Sequence, residues 1–438
     1  MKRSRKRGRW RLLILSILLI IATSLIFGFR DVFTGHNSEP LDEEELPTAL
    51  NFLVTNELNN LQETEKLDVQ VEKFMREWQI KGASLAIMKN EKLIYTKGYG
   101  WADEELGVRM EPRHILRIAS LSKLITAAGI MKMVDDTLLS LNSKVFGENG
   151  ILNMPHFLNI KDTRIKNITI EHLLRHKAGF TLRAVDPMFS TRLMAQRLKI
   201  DSVPDTDQII SYYTSSKLGY APGNGSRYSN LGYVILSRVI EVVSGMEYEE
   251  YIKEKVLKPA GVFDMHLAHN FYEEKFPNEV RYYEPSNEPK VEAFDGSENM
   301  VQRCYGGNNI EGLLGAGAWV ASPSELLLFV ASIDGRDGIP DILSPRSISL
   351  MTTSTPQNLP IGWAKTTSSG DWSRTGTLSG SSAMLKYQRD EISWVLITNT
   401  SSWKGSRFPR QIDGLIRKSL QKVSNWPERN LFELKTLL

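Results

Sequence analysis

A single cysteine, Cys304, in a chain of 438 residues rules out any internal disulfide. A lone thiol serves packing more often than chemistry. Histidine is scarce as well. Of the seven, His266 and His269 are three apart, but no run of cysteines or carboxylates accompanies them. That is not the spacing of a zinc site, so no metal is expected, and no organic cofactor is signalled. A basic face is also missing. The formal charge is +3, but Lys2, Arg3, Arg5, Lys6, Arg7, Arg9 and Arg11 crowd the first eleven positions and leave the remainder mildly acidic. Nucleic acid is therefore not an expected partner. With 41% hydrophobic and 24% charged residues, the chain has the composition of a folded globular protein.

Long apolar stretches are absent except for one, the uncharged run Leu12 to Phe29, bounded by Arg11 and Arg30. At about 1.5 Å per residue, a helix of this length just crosses a hydrocarbon layer. The basic flank would stay cytoplasmic and send the rest of the chain outside, periplasmic or extracellular. The run is longer than a typical signal-peptide core and offers only a weak cleavage candidate, Ala22-Thr23-Ser24. A single-pass anchor is therefore favoured over a cleaved signal, which would leave a secreted protein. The expected order is a basic tip and anchor over residues 1–30, an acidic linker over 31–59, one domain over 60–425 and a tail over 426–438.

Within the domain, "ASLAIMK" and "KLIYTKGYG" flank Asn90-Glu91, and "SSAMLKYQR" and "ISWVLITNT" flank Asp390-Glu391. Each pair reads as a β-hairpin. Helical periodicity dominates between about Ile168 and Lys258, and an amphipathic helix follows the second hairpin. Strands near both ends with a helical middle predict an α+β fold: an antiparallel sheet flanked by helices, with a mostly helical region inserted.

The segment from Leu116 to Asp136 has the apolar spacing of a buried helix, yet carries Ser120 and Lys123 in its first turn. Residues three apart share a helix face, so a neutral Lys123 could take the proton of Ser120 and make it a nucleophile. Burial lowers a lysine pKa toward that role, and the helix start offers N–H groups to a forming oxyanion. The same S-x-x-K spacing recurs at Ser401, past a strand, and at Ser419, expected on the polar face of the last helix. Both read as chance.

Two further stretches give the first one weight. "GSRYSNLGYVILSRVIEVVSG" holds Tyr228, Ser229 and Asn230 at a helix start, and "WSRTGTLSGSSAMLKY" holds Arg374, Thr375 and Gly376 before a strand. With these three motifs in order, and with "ITIEHLLRHKAGF", "DPMF" (Asp186 to Phe189) and "EGLLGAGAWVASPSELLLF" beside them, the chain resembles the serine β-lactamase and penicillin-binding-protein superfamily, in its class C-like branch of esterases and D-amino-acid peptidases. The resemblance implies a β-lactamase/transpeptidase-like fold and a hydrolase working through an acyl-enzyme. It implies Ser120 as nucleophile, Lys123 and Tyr228 sharing proton transfer, and Asn230, Arg374, Thr375, Gly376 and Thr377 binding substrate. The Ser120 and Thr377 N–H groups would form the oxyanion hole. A small-molecule or peptide substrate is implied: an ester, an amide, a D-amino-acid peptide or a β-lactam. Arg374 departs from the usual lysine or histidine. It keeps the charge, cannot shuttle a proton, and carries a fork suited to a carboxylate. A weak or purely binding protein is the alternative it raises.

Overall fold

Seven antiparallel strands drawn from the two ends of the sequence form the central sheet of this computed structural model, which describes residues 48–180 and 186–436. The strands are β1 (Gly82–Lys89), β2 (Lys92–Asp103), β3 (Val108–Arg109), β4 (Lys365–Thr366), β5 (Asp371–Leu378), β6 (Ser381–Gln388) and β7 (Ile392–Thr398). Across the sheet their order is β3-β2-β1-β7-β6-β5-β4. Asn90 and Glu91, at φ 51° and 56°, make the tight two-residue turn expected between β1 and β2, with both residues in the left-handed conformation that matches the strand twist. The second hairpin joins β6 to β7 as predicted. The halves of the chain meet at the centre, where β1 runs against β7 from Ala83↔Thr398 to Lys89↔Ile392.

β1 is apolar on both sides because both sides are covered. Leu85 and Ile87 face α1 (Glu65–Trp78) and the C-terminal amphipathic helix Pro409–Leu420, in a layer built on Val71, Phe74, Ile412 and Ile416. Ala86 and Met88 face the larger core on the other side. That core holds α2 (Ser122–Asp135), α3 (Asn230–Ser244) and α4 (Pro323–Ala331). The inserted region between the hairpins is mostly helical, as expected, though the helical reading from Tyr228 to Gly261 breaks at Gly245, which caps α3 in the left-handed conformation.

The folded unit begins earlier and ends later than residues 60–425. It starts at Thr48. Leu50 and Val54 are buried in the larger core, and Asn51 donates to Asp264 at 2.6 Å. At the other end, Arg429 donates to the Ile94 carbonyl at 2.9 Å, and Leu431 and Phe432 are buried. Ser419 does not lie on a polar face. It is fully buried, and its hydroxyl donates to the Leu415 carbonyl at 2.9 Å. Among the described residues no helix is long and apolar enough to cross a membrane. The run Leu12 to Phe29, with its basic tip, lies outside the described residues.

Candidate active site

Ser120 does not sit inside a helix. It lies in the tight turn Ala119–Leu121 that leads into α2, and Ala119 holds φ 52°, a conformation rare for a residue with a side chain. The turn lifts the Ser120 hydroxyl to the floor of a cavity of about 440 Å³. Lys123 follows on the first turn of α2, fully buried, and its Nζ lies 3.3 Å from Ser120 Oγ. The expected proximity is met, with Lys123 in the first turn of α2 and Ser120 in the turn just before it.

Tyr228 and Asn230 arrive from the start of α3. Ser229 caps that helix, its hydroxyl accepting from the Gly232 N–H at 3.1 Å, and so fixes its neighbours. The Tyr228 hydroxyl comes within 2.6 Å of Ser120 Oγ, and Asn230 Oδ1 accepts from Lys123 Nζ at 2.7 Å. Arg374, Thr375 and Thr377 line the same cavity from β5. Gly376 between them explains how β5 comes so close. A methyl group there would stand 2.2 Å from the Ile118 carbonyl oxygen and 3.1 Å from Ser120 N.

Three further neighbours were not singled out as residues from the sequence. The Ala316 carbonyl accepts a short hydrogen bond from Lys123. It belongs to a loop pressed so tightly on α2 and α3 that a side chain at Gly315 would meet Thr126 at 2.3 Å and Ser237 at 2.6 Å. His176 packs under Tyr228, ring centroids 4.7 Å apart, and its Nδ1 accepts from the Ser229 N–H at 3.2 Å. Asp186 accepts from Asn230 Nδ2 at 2.7 Å. "HLLRH", "DPMF" and "LLGAG" were visible as stretches, but nothing local in them says that they converge.

The electrostatics follow from this packing. Burial lowers the Lys123 pKa; Tyr228 opposes the change, the Arg374 cation adds to it, and the result is about 8 against an ordinary 10.5. Burial acts to raise the Tyr228 hydroxyl, but the Lys123 and Arg374 charges outweigh it and hold it below the usual phenol value. His176 is held well below its ordinary value by burial and then by the same two cations, and so stays neutral. Arg374 itself is only 3% exposed. Its Nε donates to the Ser120 carbonyl at 2.9 Å, while its buried Nη2 has no hydrogen-bond partner among the described residues. The fork expected to greet a carboxylate is thus partly spent on the Ser120 backbone.

Neither of the other S-x-x-K pairs makes a comparable cluster. Lys404 lies over the Trp403 ring, 4.8 Å from its centroid, and Ser419 is buried in its helix. His269 does acquire acidic neighbours through the fold, Glu274 and Glu311, the latter at 3.2 Å. Both glutamates are exposed, and the His269–Glu311 contact is accounted for as a surface pair.

A family profile described as Beta-lactamase matches residues 67–414. The chain belongs to this family. Among relatives of this beta-lactamase-family chain is Protein flp of Staphylococcus aureus, 29% identical over 210 residues that cover 48% of the chain and 38% of that protein. Esterase EstB of Burkholderia gladioli is 27% identical over 245 residues, 55% of the chain and 60% of the esterase. The chain therefore spans well under two thirds of the length of these relatives. Solved structures share the fold. The octameric penicillin-binding protein homologue from Pyrococcus abyssi has a TM-score of 0.60 at 24% identity, covering 84% of this chain and 78% of that one. The D-amino acid amidase from Ochrobactrum anthropi SV3, complexed with L-phenylalanine amide, has a TM-score of 0.63 at 19% identity, covering 83% and 99%. The α+β, β-lactamase/transpeptidase-like architecture and membership of a serine-hydrolase family are thereby shown.

Proposed function

We propose that this protein is a serine hydrolase that acts through an acyl-enzyme on an ester, an amide or a D-amino-acid peptide. One observation carries the reading: Ser120 Oγ lies 2.6 Å from a Tyr228 hydroxyl of lowered pKa and 3.3 Å from a fully buried Lys123 amine. In the proposed reaction Ser120 Oγ bonds to the substrate carbonyl carbon, and its proton leaves through the Tyr228–Lys123 pair. The same pair returns a proton to the departing alcohol or amine as that bond breaks. Water then attacks the acyl-enzyme, gives its proton to the pair and frees the acid, while Ser120 recovers its own. Asn230, Arg374, Thr375, Gly376 and Thr377 are the proposed substrate-binding groups.

The test is intact-mass spectrometry with a fluorophosphonate probe. A single adduct on the parent that is missing from Ser120→Ala is the expected result; a folded parent that takes no adduct would refute the reading. The basic tip and the run Leu12 to Phe29 support attachment to a membrane with the domain on the outer side. Full-length protein that is released by alkaline extraction of membranes would speak against the anchor.

A second reading, a binding protein with little turnover, is favoured by Arg374, whose Nε is engaged by the Ser120 carbonyl. If it holds, the probe labels Ser120 but Arg374→Lys and Arg374→His raise hydrolysis of nitrophenyl esters well above the parent. Variants no faster than the parent exclude Arg374 as the cause of weak turnover.

A further inference from the structure

Asp186 sits beside the site without touching either Ser120 or Lys123 through a hydrogen bond among the described residues. It caps the short turn Pro187–Phe189, its Oδ1 accepting from the Met188 N–H at 3.0 Å. Its other oxygen, Oδ2, accepts from Asn230 Nδ2 at 2.7 Å. A carboxylate can only accept, whereas an asparagine amide has one accepting end and one donating end. With the donating end held by Asp186, the accepting end of Asn230 must face Lys123, and it lies 2.7 Å from Nζ. The reversed amide would set oxygen against oxygen at Asp186.

On its other side Lys123 meets the Ala316 carbonyl, which also can only accept. The groups that remain are hydroxyls, Ser120 Oγ at 3.3 Å and the Tyr228 hydroxyl beside it, and only these can donate. A neutral amine has two N–H bonds and one lone pair. Two obligate acceptors take both N–H bonds, so the lone pair is left for the hydroxyl side, where Ser120 lies. We infer that Asp186 is a positioning residue which, by locking the Asn230 amide, aims the Lys123 lone pair at Ser120. The inference rests on the reading of Lys123 as the amine that serves Ser120.

Asp186→Asn tests it with a change of one atom. If the turn keeps its cap on Met188, the new Nδ2 replaces Oδ2 and confronts Asn230 Nδ2, donor against donor. Reversing the Asn230 amide relieves this, but then its Nδ2 donates to Lys123 and consumes the lone pair. The charged and titratable groups around Lys123 are Tyr228, Arg374, His176 and Asp186. Removing the Asp186 carboxylate therefore leaves more of Lys123 neutral near pH 7. A role through charge alone would speed labelling of Ser120 there. The positioning role slows it, by about 10–100-fold on the scale of a lost outer-shell partner.

The experiment follows fluorophosphonate labelling of the parent and Asp186→Asn across the pH range, beside a 13C titration of the Lys123 Cε. The expected result is slower labelling at every pH together with a Lys123 that titrates lower. Labelling as fast as the parent or faster overturns the inference. The exchange variant, Asp186→Asn with Asn230→Asp, restores an obligate acceptor to Lys123 and puts a carboxylate beside it. It should regain at least about tenfold in rate, with its profile moved to higher pH. An exchange variant that melts like the single variant and labels no faster also overturns it. A parent that never labels instead defeats the reading of Ser120 on which the inference rests.

Discussion

Two cations, Arg117 and Lys123, are buried six residues apart, and the fold treats them in opposite ways. Arg117 is 1% exposed; it donates to the Cys304 and His269 carbonyls at 2.7 and 2.9 Å, lies 4.3 Å from the centre of the Tyr282 ring, and has the Glu279 carboxylate 4.0 Å from Nε. Lys123 has no carboxylate in contact among the described residues. Its partners are a hydroxyl, an amide oxygen and a peptide carbonyl, and Arg374 stands nearby as a second positive charge. A counter-ion makes a buried cation part of the framework, whereas neutral dipoles and a like charge make it a group that gives up its proton near neutrality. Burial alone does not distinguish a structural charge from a reactive one; the kind of partner does.

The comparison can be broken most directly by making Lys123 resemble its neighbour. Lys123→Arg keeps the charge but cannot deprotonate, and should slow fluorophosphonate labelling by about 10²–10⁴-fold while the protein still folds. A variant that labels at the parent rate would show that the amine is not needed as a base. The converse change, Arg117→Met, leaves the Glu279 carboxylate buried without its cation. Its cost should appear in denaturant unfolding as about 3–5 kcal/mol of lost stability.

Lys123→Met sharpens the contrast through pH. Because the Lys123 pKa is about 8 in the folded protein against an ordinary 10.5, the unfolded chain binds more protons between those values. Raising pH through that window therefore stabilises the parent, and below about 8 the cost of the buried charge is present in full. The stability of Lys123→Met relative to the parent should therefore be greater at neutral pH than at pH 10.5, by roughly 3 kcal/mol. A relative stability that does not change with pH would mean that Lys123 is not the titrating group. The smallest effect is expected at Gly376→Ala, where the added methyl pushes β5 from the Ser120 turn at a cost of about 1–3 kcal/mol, read by thermal melting, with slower labelling.

Legibility in the sequence followed the range of the interactions. Both hairpins were readable because their turn residues and their β-branched and aromatic arms are local signals. Ser120 and Lys123 were readable because they stand only three residues apart, and that spacing carries their chemistry. The packing of residues 48–59 and of the C-terminal segment was not, since Asn51, Arg429 and Asn430 are held by partners more than 200 residues away. Ala316, His176 and Asp186 were hidden for the same reason, reaching their partners across 193, 53 and 44 residues. Arg374 was found by its motif, but its contact with the Ser120 carbonyl, 254 residues away, could not be read from one strand.

The pairing of β1 with β7 bears on when the cavity around Ser120 is assembled. Residues 83–89 pair at once with β2 but cannot find their β7 neighbours until residues 392–398 have been synthesised, and β5, which flanks Ser120, joins β1 only through β6 and β7. Contacts so distant along the chain form late and together. An unfinished chain would carry Ser120 and Lys123 without β5 beside them, so assembly of the cavity around Ser120 is tied to completion of the sheet.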